Sequence, residues 1–178
     1  MERRTRLALP VALATTALVG CFQAPAEPTE AAGANPGIEQ ALKSAEFPER
    51  PEGPLLDAAD ILPASLEKDL DIRLRRVLAE TQTAFVVVTV PSLHDQDAAD
   101  YTPALGRKWG IGAPRGGVLL LVAPNERQVQ ISTDDTLRKR LTDQQCAQII
   151  QQVILPRFKN DDYTGGIASG VDAIASRL

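Results

Sequence analysis

Residues 131–143, ISTDDTLRKRLTD, set three carboxylates, Asp134, Asp135 and Asp143, around three cations, Arg138, Lys139 and Arg140. Loop carboxylates in such number are the ligands a hard divalent ion such as calcium takes, because it binds several oxygens at short range. The cations offer a second chemistry, in which Arg115, Arg127 and Arg138 clamp an anion such as phosphate and an aspartate serves as nucleophile or base. Ordinary salt-bridged surface arginines account equally well for the runs RLRR and LRKR. His94, beside Asp95, invites an acid-base role, but a lone loop histidine is usually solvated.

Composition narrows the chemistry further. With one histidine and two cysteines, the chain lacks the ligands for a four-cysteine or histidine-rich zinc site, and His94 is the one position at which a Ser-His-Asp triad could be built. A formal net charge of -4 argues against nucleic acid as a partner, since a phosphate backbone is held by clustered Lys and Arg. A length of 178 residues, 44% of them hydrophobic, suits one core and one folded domain.

The N-terminus is an expected signal peptide over residues 1–20. Arg3, Arg4 and Arg6 form a basic start, and the apolar run LALPVALATTALVG is short for a bilayer span. It ends in Leu18-Val19-Gly20-Cys21, which resembles a bacterial lipobox, so Cys21 is the expected lipid attachment point. A plain secretory signal cut near Ala24 and Ala26, or an uncleaved anchor, is the alternative. The lipoprotein reading implies a membrane anchor facing the extracytoplasmic side, at the periplasmic face or the cell surface. Beyond residue 20 the chain carries 16 basic and 22 acidic side chains. Residues 21–54, rich in Ala, Pro, Glu and Gly, read as a tether, with a transient helix near Ile38 to Ala45. Cys146, at helical spacing with Ile149, Ile150 and Val153, reads as packing.

Residues 55–178 read as the folded domain. DILPASLEKDLDIRLRRVLAETQT puts Leu62, Leu66, Leu70, Leu74, Val77 and Leu78 on one helical face, with Pro63 suited to the first turn. FVVVTVPSL is a strand stopped by Pro91, and DAADYTPALGRKWG is a helix with an acidic cap and a closing Gly110. GVLLLVAPNERQVQIST predicts a hairpin turning at Pro124-Asn125-Glu126. LTDQQCAQIIQQVILPRF predicts a long helix capped by Thr142 or Asp143, and GGIASGVDAIASRL a final one. The expected fold is an α/β/α sandwich, a small mixed sheet with helices on both faces.

The succession LLDAADIL, FVVVTVPSL, KWGIG, GVLLLVAPNER, LTD, ILPRF and DYTGGI resembles the TPM domain of thylakoid lumen and bacterial envelope proteins, from Leu55 to the C-terminus. The resemblance implies an α/β/α sandwich whose acidic loop residues gather at one end of the sheet, with functions ranging from divalent-cation binding and acid phosphatase activity to assembly of membrane complexes. Asp57 in LLDAAD and Asp143 in LTD match its acidic positions, with a turn residue and a helix cap as their structural alternatives.

Two departures bear on that site. Ala113-Pro114-Arg115-Gly116-Gly117 puts Arg115 where the family pattern has an aspartate, and Asp134-Asp135-Thr136-Leu137-Arg138 replaces its Gly-Tyr-Gly-Leu-Glu. Loss of glycines reshapes the loop, and arginines in place of carboxylates repel a divalent ion. Calcium is thus expected only if Asp134 and Asp135 make up a set with Asp57 and Asp143. The functional expectation is a lipid-anchored binding or assembly module of the cell envelope, with an unknown protein partner and a degenerate site. The alternative is a divalent-cation-dependent acid phosphatase acting on phosphomonoesters.

Overall fold

A computed structural model of the chain describes residues 46–112 and 114–178. The signal segment 1–20, Cys21, the tether up to residue 45 and the short helix expected there lie outside these residues.

Four strands, β1 (Leu55–Asp57), β2 (Ala84–Thr89), β3 (Gly117–Ala123) and β4 (Gln128–Thr133), form one sheet in that spatial order. β1, β2 and β3 run parallel and β4 returns antiparallel beside β3 as the expected hairpin. The helices are α1 (Ala64–Thr81), α2 (Ala98–Trp109), α3 (Asp143–Ile149), α4 (Leu155–Phe158) and α5 (Tyr163–Ala175). Every residue of β3 is buried, as a strand covered on both faces requires, which explains its unbroken apolar run.

Strand alternation divides the core into two. Phe85, Val87, Val118 and Leu120 face Leu70 and Leu74 of α1, Ile149 of α3 and Ile167, Val171 and Ile174 of α5. Val86, Val88, Leu119 and Leu121 face Tyr101, Leu105 and Trp109 of α2. Each fully buried Leu contributes about 1.5–3 kcal/mol. The architecture is an α/β/α sandwich with a mixed sheet. The β1-α1-β2 and β2-α2-β3 connections step across the sheet in the same direction, yet their helices lie on opposite faces. The two crossovers therefore have opposite hands, and one departs from the usual right-handed rule.

Local chemistry sets the helix ends. Asp97 accepts from Ala99 N at 2.8 Å, Thr142 and Gln145 form a reciprocal capping box on α3, and Asp162 accepts from Gly165 N at 2.9 Å. α3 runs into α4 through a π-helical segment, Ile150–Ile154. Pro156 lies just beyond it, with no N–H to donate and a ring that crowds the preceding turn, and the wider turn relieves that crowding. α5 packs tightly against this segment: a Cβ on Gly166 would fall 2.4 Å from the Phe158 ring, and one on Gly170 2.8 Å from Ile154.

Four sequence expectations are corrected. The residues before α1 hold a strand, β1, too short for periodicity to show, and Pro63 is the N-cap of α1 rather than a residue of its first turn. Leu78 is 45% exposed instead of facing the core with Leu70 and Leu74. Residues 46–54 are not a free tether. Phe47 is buried with its ring 4.8 Å from that of Tyr101, Trp109 Nε1 donates to Pro48 O at 3.1 Å, and Arg50 Nη1 donates to Trp109 O at 2.6 Å. The apolar flank of α2 needs cover, and Phe47 supplies it.

Candidate functional site

The stretch that holds most of the expected site residues leaves the sheet where β2 and β3 begin. β4 is antiparallel, so its last residue, Thr133, pairs with Val118 near the start of β3, and Ala84 at the start of β2 pairs with Gly117. Asp134 N donates to Gly117 O at 3.0 Å, and Asp134 Oδ1 accepts from Leu137 N at 2.8 Å, capping the 3-10 turn Leu137–Lys139. The buried Leu137 and Leu141 anchor that turn to the core. Gly116 has φ 102°, and a Cβ there would fall 2.7 Å from Asp134 Oδ1 and 2.9 Å from Leu137 Cβ, so this contact requires glycine.

Arg138 ties the loop together. Its backbone N donates to Asp134 O at 2.9 Å. The guanidinium reaches Asp135 Oδ1 at 3.0 Å, Thr133 O at 3.0 Å and Asp143 Oδ1 at 3.4 Å. Thr142, the N-cap of α3, sets Asp143 at the first helical position, beside this guanidinium. The Asp135 and Asp143 side chains are 98% and 80% exposed and that of Arg138 48%. Arg115 lies on the same edge in an exposed turn, its N donating to Gln82 O at 3.3 Å. Cys146, one turn into α3, is buried as expected, and burial, with Asp143 adding to it, pushes its thiol up to about 11.

The opposite edge, outside the carboxyl ends of β1, β2 and β3, is where open α/β sheets bind ligands. Asp57 ends β1 there. Its Oδ2 accepts from Leu62 N at 2.8 Å and its Oδ1 from the Thr89 hydroxyl, while Thr89 Oγ1 accepts from Ala59 N at 3.1 Å. Glu126, in the hairpin turn, accepts at Oε1 from Ser92 Oγ at 2.7 Å and from Leu93 N at 2.9 Å. Burial alone would raise the Glu126 carboxyl, but these donors, with its own backbone amide and the nearby His94, outweigh it and hold the group below its ordinary value. Arg127 follows with φ 54°, closing the hairpin in the left-handed region. His94 and Asp95 are exposed and also left-handed, at φ 51° and 62°.

These positions overturn two expected groupings. Asp57 lies level with Val122 of β3 through Thr89, and Thr133 lies level with Val118. Asp57 and the Asp134–Asp143 loop are thus about 13 Å apart along the strands and about 14 Å apart across them. The acidic residues Asp57 and Asp143 do not share one end of the sheet, and Asp57, Asp134, Asp135 and Asp143 cannot ligate one ion. Arg127 is likewise on the far edge from Arg115 and Arg138, so the three do not form one anion clamp.

Calcium does not fit what remains at either edge. Asp134 Oδ1 is taken by Leu137 N, Asp135 and Asp143 face a guanidinium, and both Asp57 oxygens already accept. Among the described residues no three acidic, histidine or cysteine side chains gather as a metal would need. An open cleft lined by Leu55, Glu67, Lys68, Asp71 and Ile72 holds none of the expected site residues. RLRR behaves as a surface run: Arg73 pairs with Asp172 at 3.0 Å and Arg75 with Asp71 at 2.6 Å.

The sequence profile of the TPM domain matches residues 55–177. The chain belongs to the TPM domain family. Among solved structures it is similar to the N-terminal domain of a protein from P. gingivalis, at 31% identity and a TM-score of 0.66, over 70% of this chain and 81% of that one. The N-terminal domain of the cg2496 protein from Corynebacterium glutamicum, at 20% identity and a TM-score of 0.58, covers 74% of this chain and 84% of its own. The BA42 protein of the psychrophilic bacterium Bizionia argentinensis, at 19% and 0.58, covers 67% and 82%. The last two share the fold. Comparison with curated proteins gives no match.

Several TPM signature pieces prove to be packing and capping devices. In LLDAADIL, Asp57 caps the turn into α1, and in GVLLLVAPNER, Glu126 caps the loop after β2. ILPRF and DYTGGI supply the α4–α5 contact, with Arg157 paired to Asp162 at 3.0 Å. Thr89, Ser92 and Glu126 were not singled out from sequence as polar partners. The cue available was one polar residue, Thr89, inside the apolar run FVVVTV, while Ser92 and Glu126 sit in a loop and a turn, where polar residues are ordinary.

Proposed function

We propose that this TPM domain protein is a lipid-anchored, extracytoplasmic module that acts by binding, in the assembly of cell-envelope complexes, without phosphatase catalysis. The observation that carries this reading is the Arg138 guanidinium set between Asp135 and Asp143, while Asp57 stands across the sheet with both oxygens engaged. Phosphomonoester hydrolysis needs a nucleophile and charge-stabilising groups within a few ångströms of one phosphorus. The anchor is supported by the sequence around Cys21.

The test is hydrolysis of p-nitrophenyl phosphate by the full chain in detergent, from acid to neutral pH, with calcium or magnesium present. Turnover at the level of buffer is expected. Hydrolysis abolished by Asp143→Ala or Asp57→Ala establishes the phosphatase reading instead. For the anchor, partition into a detergent phase is expected to be lost in Cys21→Ser, and its persistence refutes lipidation at that cysteine.

A further inference from the structure

We infer that Arg138 is a tethered substitute for a bound cation, so that the loop from Thr133 to Asp143 holds its shape without metal. Three oxygens from separate places converge on this guanidinium: the Asp135 carboxylate in the loop, the Asp143 carboxylate at the start of α3, and the Thr133 carbonyl at the end of β4. Two carboxylates and a carbonyl are the kind of oxygen donors calcium takes. Here the planar fork meets them at 3.0–3.4 Å, each through a different nitrogen.

The backbone places the fork at that point. Arg138 N donates to Asp134 O, Leu137 is buried beneath the turn, and Gly116 lets Asp134 close over the start of β3. A cation carried on the chain acts at an effective concentration of about millimolar or more, whatever the free metal level. It also repels a divalent ion arriving at the same carboxylates. With Arg138 removed, Asp135, Asp143 and the Thr133 carbonyl lose the cation they share, leaving two uncompensated carboxylates. Calcium then has an open oxygen set.

The test compares wild type, Arg138→Gln and Arg138→Met as full chains in detergent, stripped with a chelator and titrated with calcium, by calorimetry and by thermal unfolding. Wild type is expected to melt at the same temperature in chelator and in about 1 mM calcium, while both variants bind calcium about tenfold or more tightly than wild type and melt higher with it. Adding Asp135→Asn and Asp143→Asn to either variant should abolish the gain. The inference is overturned if wild type binds calcium in a manner sensitive to Asp143→Asn, or if the variants gain no affinity. A variant unfolded in chelator and not restored by calcium also overturns it. The readout is independent of phosphatase activity, so this inference and the proposed function fail separately.

Discussion

At the carboxyl end of the sheet, both oxygens of Asp57 and Oε1 of Glu126 accept from main-chain amides and hydroxyls, whereas at the amino end Asp135 and Asp143 face one half-exposed arginine. All four are carboxylates, and their surroundings differ. A part-buried carboxylate that accepts from backbone N–H groups holds the chain in one path, and losing it leaves donors unsatisfied. An exposed ion pair contributes little to stability, because water and salt screen it. The carboxylates of the carboxyl end therefore hold the chain path, while at the amino end Asp134 alone does so and the exposed Asp135 and Asp143 can vary in charge.

The sharpest way to break this contrast is Asp57→Ala. It strands Leu62 N and the Thr89 hydroxyl, and is expected to lower stability by about 2–3 kcal/mol in urea denaturation. A loss below that of Arg138→Ala would reverse the ranking of the two edges.

Glu126→Ala comes next, at about 1–2 kcal/mol, since Ser92 and Leu93 lose their acceptor. Its pH dependence has a definite sign. The carboxyl is held below its ordinary 4.5 in the folded protein, so its contribution is present above that value and is lost as pH falls through the folded pKa. Wild type should thus lose stability more steeply than Glu126→Gln as pH drops below 4.5. Parallel acid limbs in the two proteins would count against a stabilised carboxylate.

Arg138→Ala is expected to change stability in chelator by about 1 kcal/mol or less, the range for exposed pairs. Asp143→Ala should have the smallest effect, a few tenths of a kcal/mol from the start of α3, diminishing with salt. Cys146 gives an independent check on the packing beneath that edge. With its thiol near 11, it should resist alkylation at pH 8 until the protein unfolds. Fast labelling of native protein would show that α3 opens.

Much of the fold was legible because its signals are local. The stripe of Leu66, Leu70, Leu74 and Val77 announces α1, the unbroken GVLLLVA announces a strand covered on both faces, and Asp97, Gly110 and Thr142 mark helix ends. β1 escaped because a three-residue strand shows no period, and Phe47 escaped because it is one apolar residue in a Pro- and Glu-rich segment. The candidate site was legible only in its residue types. Asp57 and Asp143 could be named, but without β1 there was no way to place Asp57 at the carboxyl edge.

The sequence by itself determined the order and kind of most elements, the family and the helix caps, since each is carried by residues close together in the chain. Tertiary structure alone decided which charges meet. The direction of β4 carries Asp134, Asp135 and Asp143 to the amino end of the sheet, and the parallel pairing of β1 with β2 carries Asp57 to the other. Which end of a sheet a loop reaches depends on strand direction and pairing, and these are fixed by contacts between residues far apart in the chain.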